Sequence, residues 1–271
     1  MSEVRDRIRG RRVGSLPAGL MGFRRVFIAN FLRETRARLG EGRFAWLRLL
    51  VTHLVVIGLF YFMRSAVGGH SALPVDLLTS LLAGFFPFLL CRSTMDGAAN
   101  ALESNRALLY YPGVRPLDFV LAFAALEGVT IVAACAVVLA ANYQFNPVPQ
   151  LHDPLETLMA LAAAWLLGGG VGLILMSLQT LRPNLRLLIQ VLKRPLLFVS
   201  GVMYAATEIP LWLAQMLSWN PIFHATEMMR EGISASYRSP IHDPLYLLLW
   251  ILGSWATGLA MERHLRRNIR S

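Results

Sequence analysis

Long apolar stretches alternate with short polar segments along most of the chain. Six stretches approach or exceed the ~20 residues that an α-helix needs to cross the ~30 Å hydrocarbon core of a bilayer. They cover residues 47–67, 72–91, 117–141, 155–181, 187–207 and 244–261. The pattern therefore predicts an all-α, polytopic membrane protein of the bacterial inner-membrane type with six transmembrane helices.

The stretch 187–207 is the least regular of the six. Lys193 and Arg194 interrupt it, and Pro195 follows them directly. Long cationic side chains can snorkel towards lipid headgroups, so these charges can mark the level of the membrane interface without forbidding a crossing. The remaining residues, 195–207, would extend only about 20 Å as a helix, which is short for a full crossing.

The basic residues are concentrated in alternate segments between the stretches. The chain carries 26 Lys and Arg against 16 Asp and Glu, a formal charge of +10. Nearly all of the basic residues lie before the first stretch, between the second and third, around the start of the fifth, and after the sixth. Because cytoplasmic loops are enriched in Lys and Arg, both termini are predicted to be cytoplasmic. The charge thus reflects topology, and no nucleic-acid partner is expected.

A second uncharged apolar run, 211–223, follows Glu208 and Pro210 and contains Trp212 and Trp219. A full crossing here would reverse the orientation that the basic C-terminus requires. We therefore expect a re-entrant or interfacial hairpin on the outer side, between spans five and six, with the tryptophans at headgroup level.

An amphipathic helix is predicted over residues 23–39. Phe23, Phe27 and Phe31 recur at every fourth position, while arginines occupy other faces. Such a helix suits the cytoplasmic membrane interface, and a soluble helix packed against a partner is the alternative. The chain accordingly divides into a cytoplasmic N-terminal segment with the interface helix, a transmembrane domain and a cytoplasmic tail, over residues 1–46, 47–262 and 263–271.

The common catalytic and metal-binding motifs are missing from the sequence. Lys193 is the only lysine, and its neighbours exclude the phosphate-binding loop G-x-x-x-x-G-K-[ST]. Neither H-E-x-x-H nor Cys-x-x-Cys occurs. His224 and Glu227 are a weak metal signal, and a local polar contact explains them better. We therefore predict that this chain is not an enzyme and has no catalytic residue, metal site or cofactor of its own.

Glu127 lies deep in the third apolar stretch. An unpaired carboxylate in the bilayer core costs on the order of 3 kcal/mol, so this side chain must face protein or a wet cavity. Two roles remain open: a polar element of a gate or pathway, and a buried pair with an arginine or amide of a neighbouring helix.

The connector between the second and third stretches is predicted to contain a short helix over residues 100–109. Tyr110-Tyr111-Pro112-Gly113 would end it, since proline disfavours helix at the residue before it and glycine permits a sharp turn. A short aromatic and basic helix outside the membrane suits docking to a soluble partner, and a plain connector is the alternative.

Two groups of residues carry a family resemblance. The first comprises Asn105-Arg106-Ala107-Leu108-Leu109-Tyr110, Val114-Arg115-Pro116-Leu117-Asp118 and Ala125-Leu126-Glu127. The second comprises Asn220-Pro221-Ile222-Phe223-His224 with Glu227, Met229 and Arg230. With these motifs the sequence resembles the membrane subunits of ABC-2 type transporters, specifically the capsular polysaccharide export permeases. The likeness in length and span order extends over residues 23–265.

The resemblance implies a homodimer of this chain bound to two cytoplasmic ATPase subunits, which would hold ATP and Mg²⁺. The complex would export a lipid-linked capsular polysaccharide, together with a periplasmic co-polymerase and an outer-membrane exporter. The resemblance also implies that residues 211–230 cap the translocation channel. It places coupling to the ATPase in the connector, at Asn105, Arg106, Leu109, Tyr110, Tyr111 and Arg115.

A polysaccharide is too polar to partition into lipid, so it needs a channel lined by hydrogen-bonding groups, aromatic faces and arginines. Candidate residues of the translocation path or gate are Phe85, Phe86, Phe88, Glu127, Trp165, Tyr204, Trp212, Trp219, His224, Glu227 and Arg230.

Other functions stay open at this point. An ABC-2 exporter could carry O-antigen, teichoic acid or a small hydrophobic compound. A membrane-embedded enzyme acting on lipid or glycan, or a proton-coupled transporter that uses Glu127, would act without an ATPase.

Overall fold

The computed structural model describes residues 16–39, 45–66, 76–106, 115–145 and 151–270. Within these residues the chain is helical and contains no strand, as the apolar pattern predicts. The helices are α1 (Leu16–Leu39), α2 (Ala45–Ala66), α3 (Leu77–Ser104), α4 (Pro116–Phe145), α5 (Pro154–Leu181), α6 (Leu185–Leu192), α7 (Leu196–Val199), α8 (Leu211–Leu217), α9 (Pro221–Ile233) and α10 (Pro244–Arg270).

Four of the described helices, α3, α4, α5 and α10, are long and apolar enough to cross a membrane. They overlap the second, third, fourth and sixth predicted stretches, although α3 and α10 extend beyond the predicted ends at residues 91 and 261. Helix α2 coincides with the first predicted stretch and contains a shorter apolar portion, Leu54–Ala66.

Helix α3 is the centre of the bundle. It packs against α4, α5 and α9, and α10 packs against the far side of α5. The close approach of α3 and α5 depends on two glycines, because a Cβ at Gly168 would collide with the carbonyl oxygen of Cys91 and one at Gly172 with the Cβ of Ala98. The sequence Leu167–Gly172 therefore sets how tightly these two helices pack.

Aspartate caps define one end of the bundle, which we call the cap end. Asp76, Asp153 and Asp243 precede α3, α5 and α10, and each carboxylate accepts a hydrogen bond from a backbone N–H of the first helical turn. Helix α9 lies at this end, since the N–H of Asp153 donates to the carbonyl of Gly232 over 2.8 Å. The opposite end, where α3, α5 and α10 finish and α4 begins, is the base.

The predicted fifth span, 187–207, is not one continuous helix. Helix α6 ends at Leu192, α7 is a single turn, and residues 200–205 are irregular. The break falls where the sequence places Lys193 and Pro195, because proline lacks the N–H that would continue the helix and the lysine turns to pair with Asp96 of α3. A continuous helix was thus the wrong expectation for this stretch.

The broken segment nevertheless follows α3 along most of its length. Arg186 of α6 pairs with Glu103 at the base, and the carbonyl of Val202 lies against Gly84. The stretch of α3 between Glu103 and Gly84 rises about 28 Å at 1.5 Å per residue. Residues 185–202 therefore run antiparallel to α3 from the base towards the cap end.

The predicted hairpin region, 211–223, forms α8 and the start of α9, joined by a turn at Ser218–Asn220. Helix α8 exposes Leu211, Trp212 and Met216, while every residue of α9 except Pro221 is buried. Helix α8 is therefore a short helix with an exposed apolar face, whereas α9 is part of the protein core.

Helix α1 confirms the predicted helix over 23–39 and begins earlier, at Leu16. It packs against α4, and its Arg33 donates a hydrogen bond to Asn105 at the end of α3. The predicted separate helix over 100–109 is wrong in its first half, because residues 100–104 continue α3 without a break and Asn105 caps that helix. Its second half lies outside the described residues.

Candidate functional site

Helix α9 begins where the sequence provides a cap and a proline. Asn220 accepts a hydrogen bond from the N–H of Ile222 over 3.1 Å, and Pro221 occupies the first helical position, where its missing N–H costs nothing. The Asn220 amide also donates to the hydroxyl of Ser200 over 2.9 Å. The start of α9 is thereby tied to the end of the broken segment.

An ion pair lies inside the protein on α9. Arg230 Nη1 is 2.5 Å from Glu227 Oε1, and their side chains are only 1% and 0% exposed. Tyr237 and Ser239, from the loop after α9, donate to the other carboxylate oxygen over 2.5 and 2.6 Å. Burial raises the pKa of the Tyr237 phenol, so it remains the donor to Glu227. The carboxylate therefore joins α9 to its following loop.

The arginine is held from the opposite side by a tight turn. Arg230 Nη2 donates to the carbonyl of Gly201, a glycine with φ of 62° that L side chains rarely adopt. A Cβ at Gly84 of α3 would meet both Val202 and the guanidinium. Two glycines thus make the space in which Arg230 sits between α3 and the turn.

A second ion pair connects α2 to the same region. Arg64, in the last turn of α2, pairs with Glu208 and donates to the carbonyl of Met203. Glu208 Oε2 also accepts from the N–H of Ala205 over 3.1 Å. The carboxylate at 208, which stands between two apolar runs in the sequence, is therefore satisfied within the protein.

His224 makes the local polar contacts that the sequence favours over a metal site. Its Nε2 lies 2.7 Å from the carbonyl oxygen of Ser218, and its Nδ1 accepts from the N–H of Asp243 over 3.1 Å. Its ring also packs against Tyr246, with the ring centres 4.9 Å apart. Glu227 instead pairs with Arg230 and accepts a hydrogen bond from Tyr237. His224 and Glu227 therefore have different partners.

Glu127 faces a polar cavity near the base. The cavity has a volume of about 360 Å³ and lies between α1, α3 and α4. Only 8% of Glu127 is exposed, so its side chain is enclosed by protein and this cavity. The polar side chains that line it are Glu34, Ser93, Asp96, Asn100, Ser104, Asn105 and Glu127.

Five of the seven Phe, Trp and Tyr candidates fall into two groups. Phe85, Phe86 and Phe88 are at most 3% exposed and belong to the hydrophobic core. Trp212 and Trp219 are 66% and 61% exposed at the cap end. In the single chain, therefore, these tryptophans present aromatic faces to their surroundings and the three phenylalanines do not.

The two remaining aromatic candidates are fixed by hydrogen bonds. The Trp165 indole donates to the carbonyl of Ala124 over 2.6 Å, which joins α5 to α4. The Tyr204 hydroxyl donates to the carbonyl of Phe198 over 2.5 Å.

The coupling candidates are only partly described. Asn105 is buried at the end of α3, while Arg106 and Arg115 are exposed at the base. Leu109, Tyr110 and Tyr111 lie outside the described residues.

Sequence reasoning missed the partners that come from the loop after α9. Tyr237 and Ser239 complete the Glu227 site, and His242 pairs with Glu231 over 2.6 Å. The only local signal in the sequence is the polar segment over residues 234–243, which precedes the sixth apolar stretch.

The sequence matches the ABC-2 type transporter family over residues 25–233. It is 29% identical over 239 residues to the polysialic acid transport protein KpsM of Escherichia coli. That alignment covers 87% of this chain and 91% of KpsM. It is 24% identical over 246 residues to the capsule polysaccharide export inner-membrane protein CtrC of Neisseria meningitidis serogroup A. That alignment covers 91% of this chain and 93% of CtrC.

Proposed function

Because the chain belongs to the ABC-2 type transporter family, we propose that it is the permease subunit of an ATP-driven exporter of capsular polysaccharide. The observation that carries this function is the similarity to KpsM and CtrC, which extends over about nine tenths of each protein. Both relatives are named for the transport of a capsular or sialic acid polymer. The cargo proposed here is a lipid-linked polysaccharide of that class.

We infer six crossings, formed by α2, α3, α4, α5, the broken α6–α7 segment and α10. The path of residues 185–202 along α3 supports the fifth crossing, although it is not a single helix. Arginines lie at the base, since Arg106 follows α3, Arg115 precedes α4, and the end of α10 carries four, namely Arg263, Arg266, Arg267 and Arg270. By the positive-inside rule the base is cytoplasmic and the cap end is outside. Helices α8 and α9 then form the outer hairpin.

The translocation channel is proposed to form between two copies of the chain. Helix α8 supports this arrangement, because Leu211, Trp212 and Met216 are each more than half exposed. Exposed apolar residues at the cap end suit a second copy or the glycan itself. Trp212 and Trp219 are then placed where sugar rings can stack on their faces.

Coupling to the ATPase is proposed at the base. Arg106 and Arg115 flank the connector, and Arg33 of α1 joins Asn105 at the end of α3. A displacement of the connector would therefore reach α1 and α3 together. ATP and Mg²⁺ bind to the partner subunit in this arrangement, and its cycle shifts the permease between two states.

Affinity purification from the native membrane tests this assembly. The chain, tagged at its C-terminus and extracted in mild detergent, is expected to retain a small ATP-binding subunit and ATPase activity. The double variant Arg106→Ala with Arg115→Ala is expected to lose that subunit. Arg263→Ala, an exposed arginine at the same end on α10, is the matched control and should retain it. Recovery of the wild-type chain alone under several gentle conditions would contradict the proposal.

A further inference from the structure

Three side chains that can bind a metal meet at the cap end, and each comes from a different element. Glu156 lies in the first turn of α5, Glu231 in the last turn of α9, and His242 just before α10. One ligand atom from each lies within 4.8 Å of the other two. Because the three residues belong to separate segments of the sequence, no local sequence motif predicts this cluster.

The histidine has a nitrogen that the protein does not satisfy. His242 Nδ1 is 2.6 Å from Glu231 Oε2, and the imidazole is only 8% exposed. Its Nε2 is buried and has no hydrogen-bond partner among the described residues. The two ring nitrogens point in divergent directions, so Nδ1, which faces Glu231, is the nitrogen that would bind an ion shared with that carboxylate.

The two carboxylates are also arranged around the imidazole. Glu231 is held in place by the N–H of Ser239, which donates to its Oε1 over 2.8 Å. Glu156 is partly exposed and stands near enough to Glu231 for the two negative charges to repel. Two carboxylates that face each other at a buried histidine are stabilised by a cation between them. The exposed Arg238 contributes positive charge to both without supplying a ligand.

We propose that Glu156, Glu231 and His242 bind one divalent cation of the zinc class, with water at the fourth position. Two carboxylates and an imidazole are zinc ligands, and three protein ligands plus water complete a tetrahedron. Ligand atoms around such an ion lie about 3.3 Å apart, so the 2.6 Å contact between His242 Nδ1 and Glu231 Oε2 must open slightly and Glu156 must approach. The partly exposed Glu156 side chain can make its movement.

A metal here would join α5, α9 and the start of α10. These elements also meet through the hydrophobic core and through backbone contacts such as the one between Asp153 and Gly232. The ion would therefore hold the buried helix α9 and its loop against the bundle. This role does not depend on which cargo the protein carries.

Zinc titration of the purified full-length chain tests the site. The protein, carrying a tag without histidines and dialysed against a chelator, is titrated with Zn²⁺ alone by isothermal calorimetry. We expect one saturable site per chain and a higher unfolding temperature with zinc. Glu156→Gln and His242→Asn are each expected to weaken binding at least ten-fold. His152→Asn, an exposed histidine at the same end, is the matched control and should bind normally.

Several results would overturn the site. Absence of saturable zinc binding in the wild-type chain is one, and unchanged affinity in Glu156→Gln is another. Glu156→Gln leaves the contact between His242 and Glu231 in place, so it tests the site even if His242→Asn fails to fold. Loss of binding in His152→Asn instead would assign the zinc to the surface. Tighter binding of Ca²⁺ than Zn²⁺ would contradict the proposed class of ion.

Discussion

Replacing Glu227 by glutamine should destabilise the protein far more than any surface carboxylate replacement. The change removes the charge that balances Arg230, which is 1% exposed. Removing one partner of a buried ion pair typically costs about 3–5 kcal/mol, because the other charge remains buried and uncompensated. The amide also presents an N–H₂ group where Tyr237 and Ser239 both donate, so hydrogen bonding is lost as well.

The assay is unfolding of the purified chain in mixed micelles with increasing dodecyl sulfate, followed by tryptophan fluorescence. Glu103→Gln is the matched control. Glu103 pairs with Arg186 at 2.6 Å, but the two side chains are 62% and 42% exposed. Exposed pairs contribute about 0–1 kcal/mol, so this variant should unfold almost as the wild type does.

A paired replacement separates the ion pair from simple loss of packing. Arg230→Met removes the second buried charge from the Glu227→Gln background. Because the double variant leaves no uncompensated buried charge, it should recover much of the lost stability. If Glu227→Gln unfolded within about 1 kcal/mol of the wild type, the buried pair would not be the structural element described here.

Three further variants test other parts of the structure. Gly168→Val should overpack the contact between α3 and α5 and lower stability by about 1–3 kcal/mol in the same unfolding assay, whereas Gly253→Ala, with open space around it, should not. Burial raises the pKa of Tyr237 above its usual 10.0, so its stabilising contribution should be complete below that pH and be lost as the pH rises through the folded-state pKa. Tyr237→Phe should remove this alkaline dependence in pH-dependent unfolding curves. Trp212→Ala should reduce glycan export while leaving membrane insertion unchanged, and equal export by the variant would exclude a stacking role.

Four spans could be predicted from the sequence because their signals are local. Each combines a long apolar run with a polar start, as where Asp153 and Pro154 open α5. The break in the fifth stretch has a local signal in Pro195, but the way the broken segment packs on α3 involves a pairing between Lys193 and Asp96, which lie 97 residues apart. No periodicity in the sequence encodes that contact.

The candidate site around Glu227 and Arg230 could likewise be predicted from the sequence only in part. Glu227 and Arg230 stand three residues apart in a helical segment, so their proximity is visible in the sequence. Their burial depends on the turn at Gly201 and on the absence of a side chain at Gly84, which only the assembled bundle reveals. The contributions of Tyr237 and His242 likewise arise because the loop after α9 folds back onto that helix.

The amount of capsular polysaccharide on the cell surface is the measurement that tests most directly whether this chain is a capsule permease. It can be measured by glycan analysis of the surface and the cell interior, in a strain lacking the gene and in the same strain complemented with it. We predict that the deletion removes surface polysaccharide, that polymer accumulates inside the cell, and that complementation restores the surface. Normal surface capsule in the deletion strain would contradict the proposed function.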